Sequence, residues 1–343
     1  IGEGAFYNNN KLKKVEFSLE TKLQTICKYS FLKTSISSIV VPSTTIIEQE
    51  CFDETTTIVR AMVNQFKNED EIDKNIKELL EKGNLEEIVK CGTMLYFGYG
   101  VPENKKESMK YFKIASELGD VKSMYLYGSH LYLGDEIEQN KPEALIHFKR
   151  AAGLGHIESV IQCANMLYKG DGVDIDKPEA LKYFKQAAEN GDIKSMFMCG
   201  TMLYEGDGIR QNKSESSQFF KKAADKGDLN SMIKYAKMLY EGDGIEQNKP
   251  ESLIHFKRAA ELGHVESMIQ YANMLYEGDG IEKDKPEASI YFKQALELGD
   301  VKSMFMYGIM LYEGDGIRQC KSESSQFFKK AADKGDINSM IKY

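Results

Sequence analysis

The chain has no long apolar run and no excess of basic residues. Its uninterrupted apolar stretches are only a few residues long, whereas a membrane-spanning helix needs about 20, so we expect no segment here to cross a bilayer. It carries 45 Lys and Arg against 53 Asp and Glu, a formal net charge of −8. Nucleic-acid-binding domains usually present a basic patch, so we expect no nucleic-acid partner.

Cysteine is scarce too, with six residues and no C-x-x-C pair. Cys91, Cys163 and Cys199 stand where tyrosine stands in other copies of a 36-residue repeat, and free cysteine behaves as a small hydrophobe. Equivalent sites in neighbouring repeats lie about 10 Å apart or more, which exceeds disulfide reach. The pattern favours neither disulfides nor a zinc site. It favours a reducing compartment, which we expect to be the cytoplasm.

What the chain has in abundance is one motif, Leu-Tyr-Glu-Gly-Asp-Gly-Ile. It begins at Leu203, Leu239, Leu275 and Leu311, with looser copies at Leu95, Leu131 and Leu167. The first glycine of the motif recurs every 36 residues, at Gly98, Gly134, Gly170, Gly206, Gly242, Gly278 and Gly314. A fixed period of this size predicts a stack of structural repeats.

Each repeat contains the signals of two helices. Gly191 is a left-handed helix stop and Asp192 an N-cap, which predicts a helix over residues 193–205 with Met196, Cys199, Gly200 and Leu203 on its buried face. Asp176-Lys-Pro-Glu179 is a capping box that begins the other helix. A phenylalanine on that second helix recurs in every repeat, at Phe112, Phe148, Phe184, Phe220, Phe256, Phe292 and Phe328.

These residues resemble the Sel1-like repeats, which are relatives of tetratricopeptide repeats. The repeat over residues 263–299 carries the family pattern at Ala272, Gly278, Gly280, Ile281, Ala288, Tyr291, Phe292, Ala295 and Gly299. It departs from the pattern at Ser267, Tyr271 and Leu275, where the family has Ala, Leu and Tyr. Over residues 84–343 the resemblance implies a mainly α fold, a right-handed α-solenoid of about seven helix pairs.

Residues 1–52 follow a different pattern. Three similar segments end at Phe6, Phe31 and Phe52, and alternating apolar residues predict short strands over 12–17 and 36–41. Together with the turn at Pro42, residues 41–52 resemble the BspA-like (Treponema-type) leucine-rich repeats. An unrelated short β segment is the alternative.

Residues 53–83 predict a helical connector between these two parts. Ile58, Met62 and Phe66 are spaced by four, as are Val59 and Val63, which is typical of an amphipathic helix. Apolar residues from Ile72 to Leu80 predict a second helix that ends at Gly83.

Candidate chemistry is weak throughout. The glycines at 206 and 208 are not preceded by a strand, so the motif is interpreted as a turn and not as a phosphate loop. His147 and His255 are copies of each other, as are His156 and His264, and the latter two stand at helix N-caps. The sequence has no H-E-x-x-H spacing and no carboxylate pair that breaks the repeat. We therefore expect no catalytic site, no metal and no cofactor.

The variation falls on one face of the first helix of each repeat. Its second, sixth and ninth positions change while their neighbours stay fixed, and spacings of four and three place them on one stripe. These residues form the variable stripe: Lys122, Leu126, Ser129; Glu158, Gln162, Asn165; Lys194, Met198, Thr201; Asn230, Lys234, Lys237; Glu266, Gln270, Asn273; Lys302, Met306, Ile309. The resemblance implies that this helix lines a concave recognition surface. Ordinary surface drift is the alternative.

A second period of 108 residues overlies the first. Residues 208–235 recur at 316–343 with two changes, Asn212 to Cys320 and Leu229 to Ile337, which indicates copying of three repeats at a time. Cys320 lacks the cap oxygen of Asn212. Glu136 is a non-glycine at the second glycine of the motif, where a left-handed backbone would cost about 1–2 kcal/mol.

We interpret the chain as a non-catalytic adaptor that holds peptide or protein partners. A surface or adhesion protein is the second hypothesis, suggested by the BspA-like segment. An enzyme or β-lactam-binding protein is the third, because cysteine-rich Sel1-like proteins have been linked to β-lactams but carry paired cysteines that this chain lacks. Ile1 lies within a motif and Tyr343 within a repeat, so we expect a longer gene product.

Overall fold

The computed structural model describes residues 1–13, 15, 23–36, 38–42, 45–53, 56–61, 69–81, 84–99 and 101–342. The chain divides into two compact units. Unit 1 comprises Ile1–Met166 and Gly170–Asp174, and unit 2 comprises Leu167–Lys169 and Ile175–Tyr343.

The N-terminal part of unit 1 consists of short parallel strand pairs. Strand β1 (Thr25–Ile26) pairs with β3 (Ile46–Ile47), and β2 (Ser38–Pro42) pairs with β4 (Thr57–Ala61). Paired residues are 21 apart in the first pair, as in Thr25 with Ile46, and 19 apart in the second, as in Ser38 with Thr57. Parallel pairing at a period near 20 is the geometry of leucine-rich repeats.

The three phenylalanines of the N-terminal pattern stack on one another. The ring centroids of Phe6 and Phe31 are 5.0 Å apart, and those of Phe31 and Phe52 are 5.2 Å apart. Phe31 is fully buried with Ile26 and Ile39 in the core of this segment. Offset stacking of this kind is favourable beyond the area it buries. The predicted strand over 36–41 is found from Ser38 onward. Of the strand predicted over 12–17, residues 12, 13 and 15 are not in a strand, and the others lie outside the described residues.

The first helix predicted in the connector is wrong where the structure describes it. Residues 57–61 form strand β4, which pairs with β2 through all five residues. Thr57, Ile58 and Val59 are β-branched and favour strands, and the parallel partner satisfies the backbone groups that a helix would have paired locally. Residues 62–68 lie outside the described residues. The second connector helix is confirmed as α1 (Glu69–Glu81); its predicted end at Gly83 lies outside them too.

From residue 85 onward the chain alternates between two kinds of helix. The even-numbered ones, called A helices, are α2 (Leu85–Phe97), α4 (Val121–Leu133), α6 (Ile157–Lys169), α8 (Ile193–Glu205), α10 (Leu229–Glu241), α12 (Val265–Glu277), α14 (Val301–Glu313) and α16 (Ile337–Lys342). The odd-numbered ones, called B helices, are α3 (Lys105–Glu117), α5 (Lys141–Gly153), α7 (Lys177–Glu189), α9 (Lys213–Asp225), α11 (Lys249–Glu261), α13 (Lys285–Glu297) and α15 (Lys321–Asp333). The mainly α fold of repeated helix pairs is confirmed.

The helix ends follow from local capping. Asp192 accepts a hydrogen bond from the Ser195 amide at 2.7 Å, and Gly206 ends the same A helix with a φ of 70°. Asp176 caps α7 through the Glu179 amide at 2.9 Å. Because these signals recur in each repeat, the predicted bounds of residues 193–205 agree with the structure.

A close contact between the two helices of a pair forms the core. Phe220 of α9 is buried against α8, where a Cβ added to Gly200 would lie 2.6 Å from its ring. Glycine at that position therefore allows the close approach. Cys91, Cys163 and Cys199 are fully buried, as expected for residues that replace a core aromatic, and all six cysteines are free thiols.

Candidate functional site

Packing leaves only part of each A helix available to a ligand. In α8 the third, fourth, seventh, eighth, tenth and eleventh positions are buried, and α10 and α12 bury the same six. The variable stripe occupies the second, sixth and ninth positions. The six second-position residues are exposed, and the others are half-buried except for Lys234, which is exposed. The structure therefore puts the stripe at the positions that core packing does not use, six residues in unit 1 and twelve in unit 2.

Several stripe side chains already make contacts within the chain. The hydroxyl of Thr201 donates to the Phe197 carbonyl at 3.0 Å, so its polar atom is turned back onto the helix. The Lys237 ammonium lies 3.2 Å from a carboxylate oxygen of Glu266, one repeat on. The Lys234 ammonium lies 5.5 Å from the centroid of the Tyr204 ring. Met306 packs against a buried cluster in unit 2 while staying half-buried. The stripe is thus partly ordered and offers both apolar and cationic groups.

The aspartate of the Gly-Asp-Gly motif has a role that the sequence interpretation missed. Asp243 accepts a hydrogen bond from the Tyr204 hydroxyl at 2.7 Å and lies 2.7 Å from the Lys213 ammonium. Tyr204 is the last residue but one in the A helix of one repeat, Lys213 begins the following B helix, and Asp243 belongs to the next repeat. We call this group the Tyr-Asp-Lys clamp. It also forms at Asp171, Asp207, Asp279 and Asp315.

The clamp changes the proton affinities of its members. The hydrogen bond from the Lys213 ammonium, followed by that from Tyr204, lowers the pKa of the Asp243 carboxyl. The hydrogen bond to Asp243 raises the pKa of Tyr204 to about 12. These pKa shifts belong to structural ion pairs between repeats. The signal in the sequence is the Tyr, Asp and Lys that recur with the motif in successive repeats.

One joint between repeats differs. Glu136 has a φ of 69°, in the left-handed region where the equivalent Gly244 has a φ of 78°. A Cβ at Gly244 would lie 2.2 Å from the Cβ of Lys213, and Glu136 carries that extra atom next to the equivalent lysine, Lys105. Among the described residues, Lys105 pairs with Glu103 at 3.5 Å and not with Asp135.

Other carboxylates form ion pairs between successive B helices. Lys185 lies 2.5 Å from Glu215, Lys221 3.1 Å from Glu251, and Lys257 3.0 Å from Glu287. Two open depressions, of about 450 and 480 Å³, lie on α7 and beside Tyr235. They are lined mainly by residue types that recur from repeat to repeat. Within the part of the chain that the structure describes, no cluster of three His, Cys, Asp or Glu could hold a metal ion.

The histidines take structural positions. His156 and His264 are N-caps, as predicted, with Nδ1 accepting from the amides of Ser159 and Ser267 at 3.3 and 3.2 Å. His147 is buried with Nδ1 2.7 Å from the Ser116 hydroxyl. Its copy His255 is equally buried, yet among the described residues its Nδ1 has no hydrogen-bond partner.

Family models match two parts of the chain. The Sel1 repeat model matches seven times in succession over residues 89–336. The chain belongs to the Sel1 repeat family. The BspA type leucine rich repeat region matches residues 1–59. Sel1-repeat proteins are generally protein-interaction scaffolds and typically non-catalytic. None of the described helices is both long and apolar enough to cross a membrane.

Solved structures of similar fold include c5321, a protective antigen of uropathogenic Escherichia coli strains with an SLR fold. It is 24% identical, with a TM-score of 0.57 over 79% of this chain and 57% of its own, so the Sel1 array here spans little more than half of that protein. A Sel1 repeat protein from Oxalobacter formigenes is 21% identical, with a TM-score of 0.49 over 81% of each chain. No curated protein matches.

Proposed function

We propose that this Sel1 repeat protein is a non-catalytic scaffold that binds peptide segments or protein partners along the variable stripe, on the concave face of the solenoid. One observation carries the proposal. Four of the six buried positions of α8, α10 and α12 carry the same residue in all three helices (Ser, Met, Met and Leu), while the unburied second, sixth and ninth positions differ in every one. Variation concentrated at accessible positions of a repeated scaffold supports selective recognition.

The residue types on the stripe support recognition over drift. Met198, Met306 and Ile309 are apolar and only half-buried, and methionine adapts to varied partner surfaces. Lys194, Lys234 and Lys302 are exposed beside them. A surface that combines an apolar contact area with nearby charge fits a protein partner better than a small-molecule substrate.

The test uses two methionines of the stripe. Met198→Glu combined with Met306→Glu places two carboxylates on the apolar contacts, and we expect capture of partners by the full chain in proximity labelling to fall. The matched control is Gln218→Glu with Gln326→Glu, two exposed positions on the B helices α9 and α15 that are also 108 residues apart. Unchanged capture by the methionine variant, with both variants folded by circular dichroism, would contradict the stripe assignment.

The second candidate function is adhesion at a cell surface through the leucine-rich segment. The match of residues 1–59 to BspA type repeats favours it. The six free thiols favour the cytoplasm instead, which is the location we propose. Labelling of intact cells with a membrane-impermeant reagent separates the two candidates, because only a surface protein would be modified.

A further inference from the structure

The 108-residue period extends to the variable stripe. In unit 2, α8 and α10 carry Lys194, Met198, Asn230 and Lys234 at their second and sixth positions. The same four residue types stand in the same places on α14 and α16, at Lys302, Met306, Asn338 and Lys342. These two sets are called the first and second stripe copies. Helix α12 lies between them in the chain, with Glu266 and Gln270 at the corresponding positions.

The local geometry of the two stripe copies agrees. The Lys234 ammonium lies 5.5 Å from the centre of the Tyr204 ring, and the Lys342 ammonium lies 6.0 Å from the centre of the Tyr312 ring. Both lysines are exposed and both methionines are half-buried. Among the described residues, no carboxylate lies within salt-bridge distance of either Lys234 or Lys342, whereas Lys237 is paired with Glu266. Each copy therefore offers an unneutralised ammonium held over an aromatic ring, one repeat away from an apolar contact.

The distance between Met198 and Lys234 sets the distance between the two ligand groups that would contact them. Lys234 over Tyr204 puts α8 and α10 side by side, and adjacent packed helices are about 10 Å apart. Lys234 is the sixth residue of α10 and lies over Tyr204, the twelfth residue of α8, so α10 is shifted by about six residues, or about 9 Å, along the helix axis. Together with the lateral separation, this puts Met198 and Lys234 about 13 Å apart, and the apolar and anionic groups of the ligand must match that distance. An extended peptide advances about 3.3 Å per residue and alternates its side chains between two faces, so two groups about 13 Å apart on one face are four positions apart.

Charge restricts the orientation of the ligand. The exposed glutamates Glu205, Glu241 and Glu313 end the same helices. Glu241 is seven residues beyond Lys234, which is about 10 Å along the helix axis. Lys234 attracts a carboxylate of the ligand, whereas the glutamates at the helix ends repel it.

We propose that unit 2 carries two equivalent sites for an extended peptide segment in which an apolar residue and an acidic residue are four positions apart. The inference rests on the proposed function and deepens it, because it specifies the chemistry of the partner and the number of sites. A partner with two such segments would bind both copies at once. Simultaneous binding typically strengthens affinity by about 10²–10⁴-fold without any new contact.

The first experiment measures the spacing. Fluorescent nine-residue Gly/Ser peptides carry one Leu and one Glu, in both orders, separated by one to six positions, and are titrated with the full chain by anisotropy. We expect the separation of four to bind about tenfold tighter than the others, and Glu replaced by Lys to lose about the same factor. Equal affinity at every separation would overturn the proposal.

The second experiment counts the sites. Calorimetry with the best peptide should give two sites per chain for the wild type, and one for either Met198→Glu or Met306→Glu. Lys234→Glu and Lys342→Glu should each remove one site for the Glu peptide. Gln218→Glu and Gln326→Glu should leave both sites. A single site in the wild type, or the same loss in the control variants, would refute the duplication.

The two proposals fail differently. If the methionine variants lose captured partners but the peptides show neither the spacing preference nor two sites, the scaffold function stands and the duplicated peptide site is refuted. If partner capture is unaffected and the peptides fail to bind, both are refuted. A peptide with two motifs joined by a flexible linker should lose its affinity gain in each single methionine variant.

Discussion

The joints at Asp135 and at Asp243 lie 108 residues apart in the same sequence pattern, yet they hold their repeats differently. At Asp243, Tyr204 and Lys213 complete the Tyr-Asp-Lys clamp, and Gly244 accommodates the left-handed turn. At Asp135 the turn residue is Glu136, and the lysine is paired elsewhere. The comparison teaches that the glycine of the motif does more than permit a turn. It also leaves room for the lysine that clamps one repeat to the next.

The largest effect is expected from converting the strong joint into the weak one. Gly244→Glu puts a Cβ 2.2 Å from that of Lys213 at a φ of 78°. Left-handed strain and overpacking together should lower the free energy of unfolding by about 2–4 kcal/mol. Urea unfolding measures the total, and hydrogen exchange of α8 to α10 locates it. Unchanged exchange in these helices would contradict the clamp.

The reverse change, Glu136→Gly, should raise the free energy of unfolding by about 1 kcal/mol, since strain relief is partly offset by the entropy of glycine. Glu138→Gly is the matched control, because it makes the same substitution at an exposed position whose φ is not positive. We expect the control to be neutral or destabilising. Equal stabilisation by both variants would indicate a general charge effect.

The next comparison concerns the two buried histidines. The Ser116 hydroxyl and His147 Nδ1 share a hydrogen bond, whereas the residue 108 positions after Ser116 is Ala224, which has no hydroxyl to offer the unpartnered His255. Ser116→Ala should lower the free energy of unfolding by about 1–2 kcal/mol, because it leaves a buried nitrogen without a hydrogen-bond partner. Ala224→Ser should stabilise by about 1 kcal/mol by supplying the missing partner.

Thermal melting measures the stability of both variants. Making Ser116→Ala in the His147→Phe background as well gives the coupling energy between Ser116 and His147 directly. Phenylalanine is the residue of this position in α9 and α15, at Phe219 and Phe327. If Ser116→Ala costs as much in the His147→Phe background as it does with the histidine present, the hydrogen bond is not the source of the stability difference.

A smaller effect is expected at the N-terminus of α15. Asn212 caps α9 through the Glu215 amide at 3.1 Å, whereas Cys320 makes no side-chain cap to α15. Cys320→Asn should raise the free energy of unfolding by about 1 kcal/mol, and Asn212→Cys should lower it by about the same amount. A melting midpoint that falls for Cys320→Asn would contradict this prediction.

The sequence predicts the helical repeats well because their signals are local. The cap at Asp192 and the glycine at Gly206 lie next to the helix they limit, and the predicted bounds agree with the structure. Strand β4 is different: its apolar spacing fits a helix equally well, and only the parallel partner 19 residues earlier decides the outcome. The clamp is harder still, because Lys213 and Tyr204 are 30 and 39 residues from Asp243, and no local pattern reveals that contact.

The candidate site shows the same division between local and distant information. Periodicity is enough to predict which positions of each A helix stay outside the core, since burial of the other positions follows the helical repeat. The neighbour over which Lys234 lies, Tyr204, belongs to the preceding repeat. Whether a stripe lysine is paired, as Lys237 is with Glu266, also depends on the next repeat, and therefore only the structure separates the two lysines.

The smallest expected effect is a pH dependence that compares His255 with its phenylalanine counterparts. Burial, followed by the charge of Arg258, lowers the pKa of His255 below 6.5. The surrounding charges are Glu251 and Arg258 on α11 and Lys221 and Asp225 on α9, and the ring of Tyr235 on α10 packs against it. Because the unfolded chain then binds more protons than the folded chain below about pH 6.5, stability should fall as the pH drops from 7 to 5.

His255→Phe should remove part of that slope, since α9 and α15 already hold phenylalanine at this position. The clamp aspartates have lowered pKa values, so the stability they contribute is lost only below about pH 4 and does not interfere. Urea midpoints at pH 7, 6 and 5 for the wild type and for His255→Phe measure the difference. Parallel lines for the two proteins would mean that His255 stays neutral in the unfolded chain as well, or is solvated in the folded one, and would contradict its assignment as a buried neutral histidine.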